Sequence, residues 1–121
     1  MGLVEVVEEW IQKGRVFLAE AEECFKKKIY WLTCFHAHQA TEFFLRALLL
    51  DKAGSYPFTH DLAILLNDVE SMGFDVPDEV YDAAEFLTPH YLTSRYPRRR
   101  VIEYGERRGL LCLKYSKIIV K

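Results

Sequence analysis

The sequence predicts an all-α protein, an up-and-down four-helix bundle with one extra short helix. Three observations predict it. Apolar residues recur at intervals of three and four through long segments, the pattern of helices with a buried face. No segment stands out with the two-residue alternation of a strand. Turn residues punctuate the segments at Gly54, Pro57, Gly73, Pro77 and Pro97.

The first helix is predicted over residues 3–26, where Val6 or Val7, Trp10, Phe17, Leu18, Ala21 and Phe25 recur at helical spacing. Lys26, Lys27 and Lys28 follow at its C-terminal end, where cations suit the helix dipole. The second helix runs from about 30 to 52 and stops at Gly54, before the loop residues Ser55, Tyr56 and Pro57. Thr59 is the expected cap of a short third helix, 60–71, with Leu62, Leu65, Leu66 and Val69 facing inward and Gly73 ending it. Pro77 and Asp78 start the fourth helix, 78–94, with Asp78 as cap and Val80, Tyr81, Ala84, Leu87 and Tyr91 on the inner side. Pro89 should kink it, because proline removes a backbone donor and crowds the preceding turn. Tyr96 and Pro97 close that element, and the last helix, 99–119, carries Ile102, Leu110, Cys112, Leu113 and Ile118. Short links elsewhere make neighbouring helices antiparallel.

A chain of 121 residues is one domain of ordinary size, read here as 1–121. Half of its residues are apolar and 28% charged, as in globular proteins rather than disordered ones. No apolar run approaches the roughly 18 residues that span a bilayer. The N-terminus is acidic and lacks the basic start of a signal peptide, so a cytoplasmic protein without membrane contact is expected. Cys24, Cys34 and Cys112 are odd in number with no Cys-x-x-Cys; buried free thiols are the expectation. The net charge of −2 conceals a split, because residues 1–94 hold 7 Lys/Arg against 16 Asp/Glu and residues 95–121 hold 9 against 2. Such a split marks either an anion-binding surface or a last helix paired with acidic neighbours.

The second helix is the most informative. At about 100° per residue, Trp31, Phe35, Leu45 and Leu49 share a stripe that contains His38 and Glu42, with Gln39 and Arg46 at its edge. The opposite side, Ala37, Ala40, Phe43, Phe44, Ala47 and Leu48, is apolar too. Such a helix is buried or faces a partner, and the apolar surplus suggests dimerisation. Its polar residues must find partners. Glu42 is one turn from both His38 and Arg46, and so orients the imidazole as an acid–base pair or bridges to the guanidinium. The alternatives are a polar pocket on the flank of the bundle and a structural network joining helices. Cys34 also shares a face with His38, but two ligands are too few for a closed zinc site.

His60 and Asp61 open the third helix, with His60 placed either beside the polar face of helix two or in a loop contact. The segment from His90 to Arg100 concentrates Tyr91, Arg95, Tyr96, Arg98, Arg99 and Arg100. Arginine forks suit phosphate oxygens and tyrosine rings stack on bases; a solvated basic turn is the alternative. Arg107 and Arg108 extend the patch. No Gly-x-Gly-x-x-Gly, P-loop or His-Glu-x-x-His motif is present, and no cofactor is expected.

Three pieces resemble the HEPN family, the nucleotide-binding domain of higher eukaryotes and prokaryotes. They are His38-Gln39-Ala40-Thr41-Glu42 with the apolar end of helix two, Thr59-His60-Asp61-Leu62, and Tyr91 with Arg95-Tyr96-Pro97. The resemblance covers nearly the whole chain and implies a HEPN-like helical bundle, often a homodimer. It implies a nucleotide- or RNA-binding module that partners a minimal nucleotidyltransferase in a toxin–antitoxin-like system. Arg95, Tyr96 and Arg98 would contact phosphate or base, with Tyr91 beside them, and His38, Glu42 and His60 would shape the adjacent cleft. Other family members are metal-independent RNase toxins with an Arg followed, after four to six residues, by a His. This chain departs from that pattern, since no histidine follows Arg95. A non-catalytic module is therefore the expectation, with a displaced RNase site using His90 or His38, and a purely structural dimeric partner, as the alternatives.

Overall fold

The computed structural model describes residues 2–95 and 104–120. Five α-helices follow in order: α1 Leu3–Lys26, α2 Tyr30–Ala53, α3 Leu62–Ser71, α4 Asp78–Leu87 and α5 Glu106–Val120. A 3-10 turn, Thr88–Tyr91, prolongs α4. No strand occurs among the described residues. The architecture is the all-α bundle that the apolar spacing predicts, with α2 at its centre against α1, α3, α5 and the 3-10 turn.

Each boundary has a local cause. Between α1 and α2 the chain reverses through Lys28 at φ 64°, while the N–H groups of Lys27, Lys28 and Ile29 bond to the carbonyls of Glu23, Phe25 and Cys24. These bonds satisfy carbonyls that the end of α1 leaves open. α2 ends at Gly54, whose φ of 81° is left-handed and whose N–H bonds to the Leu50 carbonyl, a conformation that glycine adopts without strain.

Four expected boundaries move. Thr59 does not cap α3. The Asp61 carboxylate accepts from the N–H groups of Ala63 and Ile64, and Thr59 Oγ1 accepts from Asp61 N–H, so the helix starts at Leu62 and His60 stays in the loop. Pro77, not Asp78, occupies the cap of α4, leaving Asp78 and Glu79 in the first turn, where the dipole favours acids. α4 does not run to 94. Pro89 cannot donate to a carbonyl one turn back, and the α-helix ends at Leu87. Thr88 Oγ1 secures the change, donating to the Ala84 carbonyl at 2.8 Å and accepting from Leu62 N–H at 3.1 Å. Of the last helix expected over 99–119, residues 99–103 lie outside the described residues; Tyr104 and Gly105 are not helical and α5 runs from Glu106, with Gly105 O accepting from Gly109 N–H.

The core is built from small residues of α2 and leucines of its neighbours. Cys34, Ala37, Leu45 and Leu49 pack with Ala21, Leu62, Leu65, Leu66, Leu87, Cys112 and Leu113. Trp31, expected on the core stripe, is exposed at the first turn of α2. Thr41 and Ser116, both fully buried, bond to each other at 2.8 Å, and both hydroxyls reach the Ala37 carbonyl. Gly109 lets α5 approach closely, because a Cβ there would lie 2.9 Å from the Tyr30 ring and 3.2 Å from Phe25.

The cysteines differ from expectation. Cys34 on α2 and Cys112 on α5 are joined in a disulfide across 78 residues of sequence, and Cys24 alone is a free buried thiol. The pairing arises because helices distant in sequence lie side by side, with Cα atoms 5.2 Å apart, within the bonding range.

Candidate functional site

The polar stripe of α2 meets the loop before α3 and the 3-10 turn after α4. Glu42 is 1% exposed. One carboxylate oxygen accepts from Arg46 Nη2 at 2.7 Å and the other from His60 Nδ1 at 2.7 Å. A buried carboxylate persists when such partners compensate it. Arg46 is held in turn by aromatic faces, its guanidinium carbon lying 5.3 Å from the Trp10 ring centre, 5.1 Å from Tyr56 and 5.8 Å from Phe58. Glu42 therefore makes the Arg46 bridge foreseen from spacing, and takes its second partner from the loop. His38 stands further off, with Nδ1 4.0 Å from the carboxylate.

His38 is fully buried and bonds through Nε2 to the His60 carbonyl at 2.8 Å. A carbonyl only accepts, so Nε2 carries the proton. Burial pushes the His38 pKa below its ordinary value, against opposing pulls from the His60 carbonyl and Glu42. His38 thus acts as a neutral brace that fixes the loop carrying His60.

The exposed layer lies over this buried network. The His60 ring stacks on Tyr91 with centroids 3.8 Å apart and planes at 15°. The Arg95 guanidinium lies 4.8 Å from the Tyr91 ring and 4.6 Å from Phe35, and Arg95 Nε donates to the Tyr91 carbonyl at 2.9 Å. His60, Tyr91, Arg95 and Phe35 thus form one continuous layer, with Arg95 exposed and the His60 side chain 40% exposed.

Five of the seven expected site residues, His38, Glu42, His60, Tyr91 and Arg95, are brought together. Tyr96 and Arg98 lie outside the described residues, as do Arg99 and Arg100. Phe35 is the member of the layer that sequence reasoning placed only on the core stripe. Its signal is its position one turn before Gln39. Arg107 and Arg108 lie apart, lining a cleft with Phe86, Gly105 and Leu111.

His90 faces away from the layer. It is fully buried, bonds through Nδ1 to the Tyr104 hydroxyl, and stacks edge-on against Phe86. Its pKa is pushed down to about 4, first by burial and then by Arg108 and His38. Neither His38 nor His90 offers a ring edge to solvent, so neither reaches a phosphodiester in this arrangement. His90 instead joins Cys34 and Cys112, the ligand atoms of the three lying within 4.8 Å of one another.

The HEPN domain profile matches residues 7–121. Among solved structures, TT1696 from Thermus thermophilus is 27% identical with a TM-score of 0.86, covering 94% of this chain and 92% of its own. ST0689, described as an archaeal HEPN homologue, is 28% identical with a TM-score of 0.75, covering 94% and 91%. A HEPN domain protein from Thermotoga maritima shares the fold at 21% identity and a TM-score of 0.74, covering 93% and 91%. No curated protein matches the chain. The match over nearly the whole length, on the bundle that carries this polar layer, establishes that the chain belongs to the HEPN domain family.

Proposed function

We propose that this chain is a non-catalytic HEPN module that binds a nucleotide or an RNA segment through the layer of His60, Tyr91, Arg95 and Phe35. The observation that carries the reading is the exposed Arg95 guanidinium over two aromatic rings, beside a half-exposed imidazole fixed by a buried carboxylate. A guanidinium fork suits phosphate oxygens, and aromatic faces accept bases without regard to sequence. Tyr96 and Arg98, adjacent in sequence, would extend the contact. The buried Glu42, Arg46 and His38 set the position of His60 and do not touch the ligand.

The family resemblance supports two further parts of the reading, a homodimer and a nucleotidyltransferase partner in a toxin–antitoxin-like system. Among the described residues no helix is long and apolar enough to cross a membrane, and the reading needs no membrane.

Isothermal calorimetry at low salt with nucleoside phosphates and short single-stranded RNA tests the proposal. Binding to at least one of them, weakened in Arg95→Ala and Tyr91→Ala, is the expected result. No heat with any of them would overturn it.

A further inference from the structure

A second chemically equipped place lies inside the bundle, away from the Arg95 layer. Cys34 of α2, Cys112 of α5 and His90 of the 3-10 turn are each 0% exposed, and one ligand atom from each lies within 4.8 Å of the others. Three elements that share no local sequence supply one donor apiece. The His90 ring has an uneven environment. Nδ1 shares a hydrogen bond with the Tyr104 hydroxyl, whereas Nε2 is buried with no hydrogen-bond partner among the described residues. An orphaned buried nitrogen costs free energy and calls for an explanation.

We propose that Cys34, Cys112 and His90 form a redox-gated binding site for a thiophilic divalent cation of the zinc class, closed while the disulfide stands and opened by its reduction. Two thiolates and one imidazole are the protein ligands of a three-ligand zinc site with one open position. The tautomer in which His90 Nδ1–H donates to Tyr104 puts the lone pair on Nε2, and Tyr104 becomes the outer partner that orients a metal-bound histidine. Charge supports the assignment. A divalent cation with two thiolates and a neutral imidazole is formally neutral, the state that a buried site tolerates best.

The chemistry balances in two steps. Local opening of the bundle must first expose the Cys34–Cys112 bond, whose cysteines are both 0% exposed; an external dithiol reductant then attacks it, delivers two electrons and two protons, and leaves as its own cyclic disulfide. The cation then binds both sulfurs and the two thiol protons pass to solvent. Thiol–disulfide exchange with an external disulfide, which takes up the two electrons and two protons and leaves as a dithiol, re-forms the Cys34–Cys112 bond, removes both ligands and releases the cation. Because His90 precedes Tyr91 in the same turn, occupancy would fix the turn that carries the stacking ring.

The test uses the full chain, reduced under anaerobic conditions, freed of reductant and titrated with Co²⁺ and then Zn²⁺. The expected result is one cobalt per chain with the near-ultraviolet absorption of thiolate–cobalt bonds, displaced by zinc and absent from the oxidised protein. Cys112→Ser should abolish that absorption, and Tyr104→Phe should weaken affinity by about 10- to 100-fold, as loss of an outer partner does. His90→Gln, which keeps both thiols, tests the third ligand should the cysteine variant fail to fold; affinity equal to the parent in His90→Gln would overturn the site. So would a reduced, folded protein that takes up no cobalt, or undiminished thiolate absorption in a folded Cys112→Ser.

Discussion

Glu42→Gln is the substitution that most sharply tests the buried network. It conserves shape and removes one charge. The carboxylate is 1% exposed and receives two hydrogen bonds of 2.7 Å, from Arg46 and from His60. A glutamine has only one accepting oxygen, and its NH₂ meets one of two groups that are themselves donors. Breaking a buried pair from one side costs about 3–5 kcal/mol. Two features of the structure reduce that figure. Arg46 keeps its contacts with Trp10, Tyr56 and Phe58, and the His60 side chain is 40% exposed, so water replaces part of what it loses. The expected loss is about 2–3 kcal/mol, a large fraction of the roughly 5–15 kcal/mol that holds a typical domain but not enough to unfold it. Urea unfolding followed by circular dichroism measures it, with Arg46→Met and the double variant completing a cycle. The cycle should give a coupling above about 1 kcal/mol. A loss below about 0.5 kcal/mol in the single variant, a surface-like value, would refute the reasoning.

Other expectations follow from particular contacts. Folded-state His90 has a pKa of about 4 against roughly 6.5 in the unfolded chain, so the unfolded state takes up the proton first as pH falls. Stability should be fully present above about pH 6.5 and decline toward pH 4, by up to about 3 kcal/mol, with the lowered His38 adding in the same direction; urea midpoints unchanged from about pH 7 to about pH 5 would contradict this. Gly109→Ala should destabilise by about 1–2 kcal/mol in thermal unfolding, because the methyl meets Tyr30 and Phe25 and overpacking outweighs the helix-propensity gain. Lys28→Gly should stabilise by about 0.5–1 kcal/mol, since glycine adopts its left-handed φ without strain; an unchanged midpoint would show that the turn carries no strain.

The frame of the bundle was legible because its signals are local. α1 and α2 carry apolar residues at helical spacing over 24 residues each, and Gly54 supplies an unambiguous stop. Boundaries failed where two local signals compete. Thr59 and Asp61 are both good caps, and only the position of Leu62 against Thr88 selects Asp61. The 78–94 helix has continuous inward spacing, yet Pro89 converts its end to a 3-10 turn, which rotates His90 inward and leaves Tyr91 over His60. The spacing of Glu42 and Arg46 on one helix made their bridge readable. The contribution of His60 required knowing which loop folds back onto α2. The Cys34–Cys112 pair had no signal at all, because 78 residues separate partners that only the packing of α5 on α2 brings together.

The claim that the Arg95 layer binds phosphate-bearing ligands is tested most directly by the salt dependence of affinity for a fluorescent single-stranded RNA. Each phosphate neutralised by a cationic side chain adds about 0.7 to the slope of log affinity against log salt. The account predicts measurable binding at low salt, weaker in Arg95→Ala, with the slope shallower by about that one contact. Binding that is absent at low salt, or equal in strength and slope in Arg95→Ala, would contradict it.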